Sequence, residues 1–136
     1  MDSMRLKRYK DKINYIVDSF IYFSKVPSNE LEKRGIFYSV QTAIESLIDI
    51  IAMLNRDLGL PVKDDEKNII QIIQKFNLDI DLGEGLKKMN GMRNIIVHRY
   101  NGIEESIIIG SLNEISKLTR KWLDVVEEIL NEINPN

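Results

Sequence analysis

The chain has 136 residues, of which 43% are hydrophobic and 29% are charged, and its formal net charge is -2. This length suits a single domain, residues 1–136, with one hydrophobic core. The charge balance excludes a polycation that would bind nucleic acid over its whole surface, and the absence of cysteine excludes disulfides, a thiolate nucleophile and cysteine metal sites.

The N-terminal segment MDSMRLKRYKDK is charged where a secretory signal would need an apolar run. No stretch reaches the ~20 consecutive apolar residues of a membrane span. We therefore expect a cytoplasmic protein without a membrane partner.

Apolar residues recur at helical spacing almost throughout the chain, and no stretch shows sustained strand alternation. The interruptions of this pattern predict five helices. They run from Arg5 to Ser24, from a cap at Ser28 or Asn29 to Asn55 or Leu58, from Asp65 to Phe76, from Gly85 to Tyr100, and from Glu104 to Ile129 or a little beyond. The predicted fold is all-α, a four- to five-helix up-and-down bundle.

The predicted second helix has the clearest apolar face. Its core positions step by four, three, four and three residues, which is the spacing of a bundle helix. They are Val40, Ile44, Leu47, Ile51 and Leu54.

The fourth predicted helix combines an apolar side with a polar stripe. Asn90, Asn94 and His98 follow each other at intervals of four residues, and His98 is the one histidine of the chain. On a helical wheel Arg93 lies at the border of the apolar side, and Gly91 shares the side of His98.

Two interpretations of this helix stay open at this point. In the first, the polar residues are an ordinary surface, Gly91 costs about 1 kcal/mol of helix stability, and Ile95 is a stray exposed apolar residue. In the second, the helix forms a site shared by two subunits. Ile95 then packs against the partner, Gly91 lets a backbone or a phosphate approach, and Arg93 and His98 face a common cleft.

The motif R-N-x-x-x-H-x-Y, formed by Arg93, Asn94, His98 and Tyr100, resembles the HEPN superfamily and most closely its HepT-like toxin branch. That branch has an arginine, four to six residues and a histidine near the end of a bundle helix, with a tyrosine two residues later. The resemblance extends to chain length, helix order and the long second helix containing QTAIESLIDI. It implies a HEPN-like dimer that acts as a metal-independent endoribonuclease toxin without a cofactor, paired with a small nucleotidyltransferase antitoxin.

These residue types suit RNA cleavage by the 2′-hydroxyl group. A histidine titrates near neutral pH and can act as base or acid, while an arginine can hold two phosphate oxygens at once. We therefore assign catalytic roles to His98 and Arg93, with Asn94 orienting the imidazole or donating to phosphate. The lack of cysteine, of a second histidine and of a tight acidic cluster argues against a metal hydrolase.

One chain supplies one imidazole, whereas the reaction needs both a base and an acid. A two-fold dimer that pairs the fourth helices would bring two copies of His98 and Arg93 into one cleft. We expect such a homodimer, with RNA as substrate and with Asn90 and Gly91 as supporting residues.

Three further residues have alternative interpretations. Tyr100 is either a packing residue at the edge of the core or, as the resemblance implies, the tyrosine to which the nucleotidyltransferase transfers AMP. Glu45 and Asp49 lie four residues apart on the second helix and form either a solvated face or a carboxylate that holds Arg93. Glu104 and Glu105 suit the positive N-terminus of the last helix.

Two other functions compete with the ribonuclease. A non-catalytic module of the same fold would bind a nucleotide, or recruit a substrate for the nucleotidyltransferase, with Arg93 gripping phosphate and His98 only hydrogen-bonding. A purely structural interaction bundle is the third possibility, against which the polar stripe of asparagine and histidine argues.

Overall fold

The structure is a computed structural model that describes residues 1–98 and 102–135, with the side chains of residues 102–104 outside this description. Within these ranges the chain forms five α-helices and no strand, which confirms the predicted all-α class. The helices are α1 (Ser3–Phe23), α2 (Glu30–Asp57), α3 (Asp65–Lys75), α4 (Ile80–His98) and α5 (Gly102–Ile133).

The first three helices begin at capping residues. The side chains of Asp2, Asn29 and Asp64 each accept a hydrogen bond from the backbone N–H three residues later, which satisfies one of the free donors of a helix N-terminus. Asn29 is therefore the cap of α2. Ser28 contributes from outside the helix, because its backbone N–H and its hydroxyl group both donate to the side chain of Glu32.

Helix α2 lies at the centre of the bundle. It packs against α1, α3 and α4, and α5 closes the ring by packing against both α1 and α4. All five predicted core positions of α2 are buried. By length and composition alone α2 would also suffice to cross a membrane, but 56% of its most apolar segment is buried inside this bundle, as expected for a core helix.

A buried amide network fixes α3 on α2. Asn55, fully buried near the end of α2, donates to the backbone oxygen of Asn68 at 3.0 Å. Its own side-chain oxygen accepts a hydrogen bond from Gln71 at 2.6 Å. Because buried amides are costly unless they are paired, this network sets the position of α3 relative to α2.

Helix α4 begins at Ile80, five residues before the predicted start at Gly85. The side chain of Asp79 accepts a hydrogen bond from the backbone N–H of Asp81 at 2.9 Å, so it supplies an acceptor for the first turn that the sequence analysis overlooked. The predicted start was wrong because the segment from Asn77 to Gly83 was interpreted as a connection.

These two glycines serve close packing inside α4. A Cβ atom on Gly83 would lie 2.9 Å from Ile73 of α3, and one on Gly85 would lie 2.5 Å from Leu118 of α5. In addition, Trp122 of α5 donates from its indole nitrogen to the backbone oxygen of residue 82 at 3.0 Å. Helix α4 is therefore held closely between its neighbours, which positions its C-terminal half. Helix α5 ends at residue 133, one turn after Ile129, in agreement with the predicted end at Ile129 or a little beyond.

Replacing Gly85 with alanine tests this close packing, with Gly110→Ala in α5 as the matched control. A Cβ atom on Gly110 meets nothing within 4 Å, so this variant should gain about 1 kcal/mol of unfolding free energy from helix propensity alone. Gly85→Ala makes the same gain but must displace Leu118. We expect it to gain less or to lose stability in urea unfolding followed by circular dichroism; an equal gain would contradict a tight contact between α4 and α5.

Candidate functional site

The C-terminal half of α4 carries the residues that the motif predicts. Arg93 and Asn94 lie in the last two turns before His98, the final described residue of this helix. Asn94 and His98 are exposed, whereas Asn90 is buried and Arg93 is partly buried. The expected stripe of three equivalent polar residues is therefore divided into a buried part at Asn90 and an exposed part.

Arg93 is held by an amide that also contacts a carboxylate. Its Nε and Nη2 atoms donate to Oδ1 of Asn90 at 3.3 and 3.1 Å. Nδ2 of Asn90 in turn donates to Oδ2 of Asp65 at 3.2 Å, and the same carboxylate oxygen lies 3.8 Å from Nη2 of Arg93. Asn90 therefore accepts from the cation and donates to the carboxylate, so the guanidinium group is oriented before any ligand binds.

Asp65 is the site residue that the sequence analysis did not assign. It is the first residue of α3 and lies 25 residues before Asn90 in the chain. In the sequence it follows the capping Asp64 and looks like a first-turn acid that complements the helix dipole. Only the packing of α3 against α4 shows that it also contacts Arg93.

Glu45 and Asp49 make other contacts. Glu45 accepts a hydrogen bond from Gln41 at 3.1 Å, and Asp49 pairs with Lys12 of α1 at 3.2 Å. Among the described side chains, the carboxylate within ion-pair distance of Arg93 is that of Asp65. The prediction that Glu45 or Asp49 holds Arg93 is therefore wrong, and the carboxylate that contacts Arg93 is that of Asp65.

In the C-terminal half of α4 the exposed aliphatic residue is Val97 rather than Ile95. Ile95 is partly buried and packs against the hydrophobic core, so its expected outward position is wrong. Val97, which a helical wheel places on the apolar side of α4, is 45% exposed. The helical wheel gives the direction of each side chain but not the extent of the neighbouring helices, and the core does not cover Val97.

Gly91 lies on the exposed face of α4 with Asn94 and His98. These residues are spaced by three and four positions, so they share one side of the helix, and all three are exposed. A Cβ atom on Gly91 would meet nothing within 4 Å. Packing against the described part of the chain therefore does not require glycine at position 91.

The first turn of α5 is linked to α2 by an ion pair. Glu105 lies 2.8 Å from Nζ of Lys33, which is also 2.8 Å from Glu30. The hydrogen bond to Glu105, together with that to Glu30, raises the pKa of Lys33. Glu105 thus does more than complement the helix dipole. The side chain of Glu104 and all of Tyr100 lie outside the described residues.

Comparisons with known proteins agree on one family. The family model described as "Ribonuclease HepT-like" matches residues 6–131. An Archaeoglobus fulgidus protein named "Putative RNase" is 41% identical over 132 residues, covering 97% of this chain and 100% of the relative. The "mRNA nuclease HepT" of Shewanella oneidensis is 27% identical over 94 residues, covering 68% of this chain and 71% of that protein.

A solved structure shares the fold. The chain matches a tri-AMPylated Shewanella oneidensis HEPN toxin, solved in complex with an MNT antitoxin, with a TM-score of 0.70 and 23% identity. The match covers 94% of this chain and 99% of that one. The family model spans nearly the whole bundle, including Arg93 and His98. This chain belongs to the ribonuclease HepT-like family.

Proposed function

We propose that this protein is a metal-independent endoribonuclease, the toxin of a toxin–antitoxin pair, with Arg93 and His98 in its active site. Membership of the ribonuclease HepT-like family supports RNA as the substrate. The observation that carries the proposal is the orientation of Arg93 by Asn90 and Asp65, one to two turns from the exposed His98. A fixed cation and a nearby imidazole on one helix match what phosphodiester cleavage needs.

The proposed reaction uses the 2′-hydroxyl group of RNA as the nucleophile. One His98 takes the proton of this hydroxyl as its oxygen attacks the adjacent phosphorus, and a second imidazole gives a proton to the departing 5′-oxygen. The products are a 2′,3′-cyclic phosphate and a free 5′-hydroxyl group. Arg93 binds the non-bridging oxygens, whose negative charge grows in the transition state. Asn94 orients the imidazole or donates to the phosphate.

We propose that the second imidazole comes from a second copy of the chain. The exposed face of α4 supports this proposal, because Gly91 leaves open space beside Asn94 and His98. A helix can approach another helix most closely where a residue has no side chain. A two-fold pairing of α4 helices would then place two copies of His98 and Arg93 in one cleft.

We further propose that a nucleotidyltransferase antitoxin silences the enzyme by transferring AMP to Tyr100. The solved relative is an AMPylated toxin bound to an antitoxin of the MNT type, and Tyr100 follows His98 by two residues. A phosphate attached at this position would compete with RNA for Arg93. Mass spectrometry after incubation with the antitoxin and ATP should find AMP on Tyr100, and an unmodified tyrosine would contradict this part of the proposal.

Replacing either proposed catalytic residue should abolish most RNA cleavage. We expect His98→Ala and Arg93→Ala to lower kcat/KM at least about a hundredfold, because each removes a group that acts on the reacting phosphate. Arg56→Ala is the matched control, since this exposed arginine lies near the end of α2. Cleavage is measured on a labelled RNA in EDTA. Full activity of His98→Ala would refute the mechanism, and RNA binding without cleavage by the wild type would favour the non-catalytic module.

Asp65→Ala should weaken catalysis without removing it. Without this carboxylate, Asn90 loses an acceptor and Arg93 an ionic neighbour, so the guanidinium group becomes less well oriented. We expect about a tenfold loss of kcat/KM. Glu66→Ala is the control, because it removes the next carboxylate of the same first turn. If both variants lose the same activity, or neither does, Asp65 does not position Arg93.

A further inference from the structure

A groove lies beside the proposed active site, between the N-terminal half of α2, the end of α4 and the start of α5. Its volume is about 190 Å³. We call it the α2–α4 groove. The residues that line it include Lys33, Phe37, Tyr38, Gln41, Ile96 and Val97. Val97 follows Arg93 by four residues in α4, so it lies about one helical turn from this proposed phosphate-binding residue, on the same side of the helix.

The groove has an apolar base and an exposed aromatic wall. Phe37 and Ile96 are buried and form part of the core, while Val97 adds a partly covered aliphatic surface. Tyr38 is 63% exposed. An exposed tyrosine ring beside an apolar surface is the arrangement on which an unstacked base of single-stranded RNA stacks.

Gln41 gives the groove one oriented hydrogen-bonding group. Its Nε2 atom donates to Oε1 of Glu45 at 3.1 Å, so the amide is held by a neighbour on the same helix. Because one of the two N–H groups of this amide is used in this way, Gln41 can offer a ligand its carbonyl oxygen, an acceptor, beside one remaining N–H. That acceptor suits an exocyclic amino group, which adenine and cytosine carry and uracil lacks.

The charges around the groove are balanced. Lys33 pairs with Glu30 and Glu105 at 2.8 Å, and Arg34 lies 3.3 Å from Glu30. Among the described residues, two cations and two carboxylates therefore balance each other at this rim. A neutral ring fits such a groove better than a phosphate, which binds where positive charge is in excess.

We propose that the α2–α4 groove binds the base of a nucleotide next to the cleaved phosphate and prefers a base with an exocyclic amino group. Tyr38 provides stacking, and Gln41, positioned by Glu45, provides the acceptor. This inference rests on the proposed ribonuclease function for the position of the phosphate. Base binding itself does not depend on cleavage and is measured separately.

Nucleotide titrations of the intact protein test the groove directly. The probes are AMP, CMP and UMP, followed by chemical shifts of backbone amides in α2 and α4. We expect AMP and CMP to bind about fivefold more tightly than UMP, the value of one added hydrogen bond. Tyr38→Ala should weaken AMP binding about tenfold or more through lost stacking, while Tyr38→Phe retains it. Gln41→Leu should remove the difference between AMP and UMP.

Tyr22→Ala is the matched control. It removes a tyrosine of α1 that is also exposed, at 41%, and that does not line this groove. Equal binding of all three nucleotides by the wild type would overturn the base preference. Unchanged AMP binding by Tyr38→Ala, or an effect as large in Tyr22→Ala, would overturn the groove as a base site.

Cleavage mapping separates the failure of this inference from the failure of the proposed function. If the wild type cleaves RNA and Tyr38→Ala changes neither KM nor the bases that flank the cut, the inference is wrong while the ribonuclease remains. If Tyr38→Ala instead shifts the monomer–dimer equilibrium without affecting nucleotide binding, the groove is a protein interface and the inference is overturned. If the wild type binds AMP through Tyr38 but cleaves no RNA, base binding is supported and the ribonuclease proposal fails.

Discussion

The burial of the apolar face of α2 is the constraint on which the rest of the structure depends. Helices α1, α3 and α4 all pack against this one helix, and the positions that repeat every three or four residues are buried. Since α3 and α4 share the same support, the first turn of α3 comes to lie beside the C-terminal half of α4. The contact between Asp65 and Arg93 is thus a consequence of hydrophobic packing elsewhere.

The side-chain amide of Asn90 links the two helices and orients the guanidinium group of Arg93. A partly buried arginine without acceptors would lose hydration without compensation, and a carboxylate in direct bidentate contact would neutralise the charge that attracts a phosphate. Asn90 avoids both outcomes. Its neutral side-chain oxygen accepts hydrogen bonds from Nε and Nη2 of Arg93, and its own side-chain N–H donates to Asp65. Preorganised donors of this kind stabilise developing charge without reorganisation during the reaction.

The sequence predicted those features that depend on short-range periodicity. The five helices and the core face of α2 follow from apolar spacing, and the place of Arg93 and His98 near the end of one helix follows from a motif within that helix. The role of Asp65 could not be predicted in this way, because its partner Asn90 is 25 residues away in another helix. The start of α4 was misplaced for a similar reason. In the sequence Gly83 was interpreted as the end of a connection, whereas its close approach to Ile73 of α3 appears only in the packed bundle.

The central claim is that two subunits together supply the base and the acid, and mixed dimers test it most directly. Wild-type and His98→Ala subunits are combined in known ratios, allowed to exchange, and assayed for RNA cleavage at constant total protein. If each cleft needs both copies of His98, activity falls with the square of the wild-type fraction, to about a quarter in an equal mixture. A linear fall, to about a half, would show that each subunit cleaves RNA on its own and would contradict the composite site.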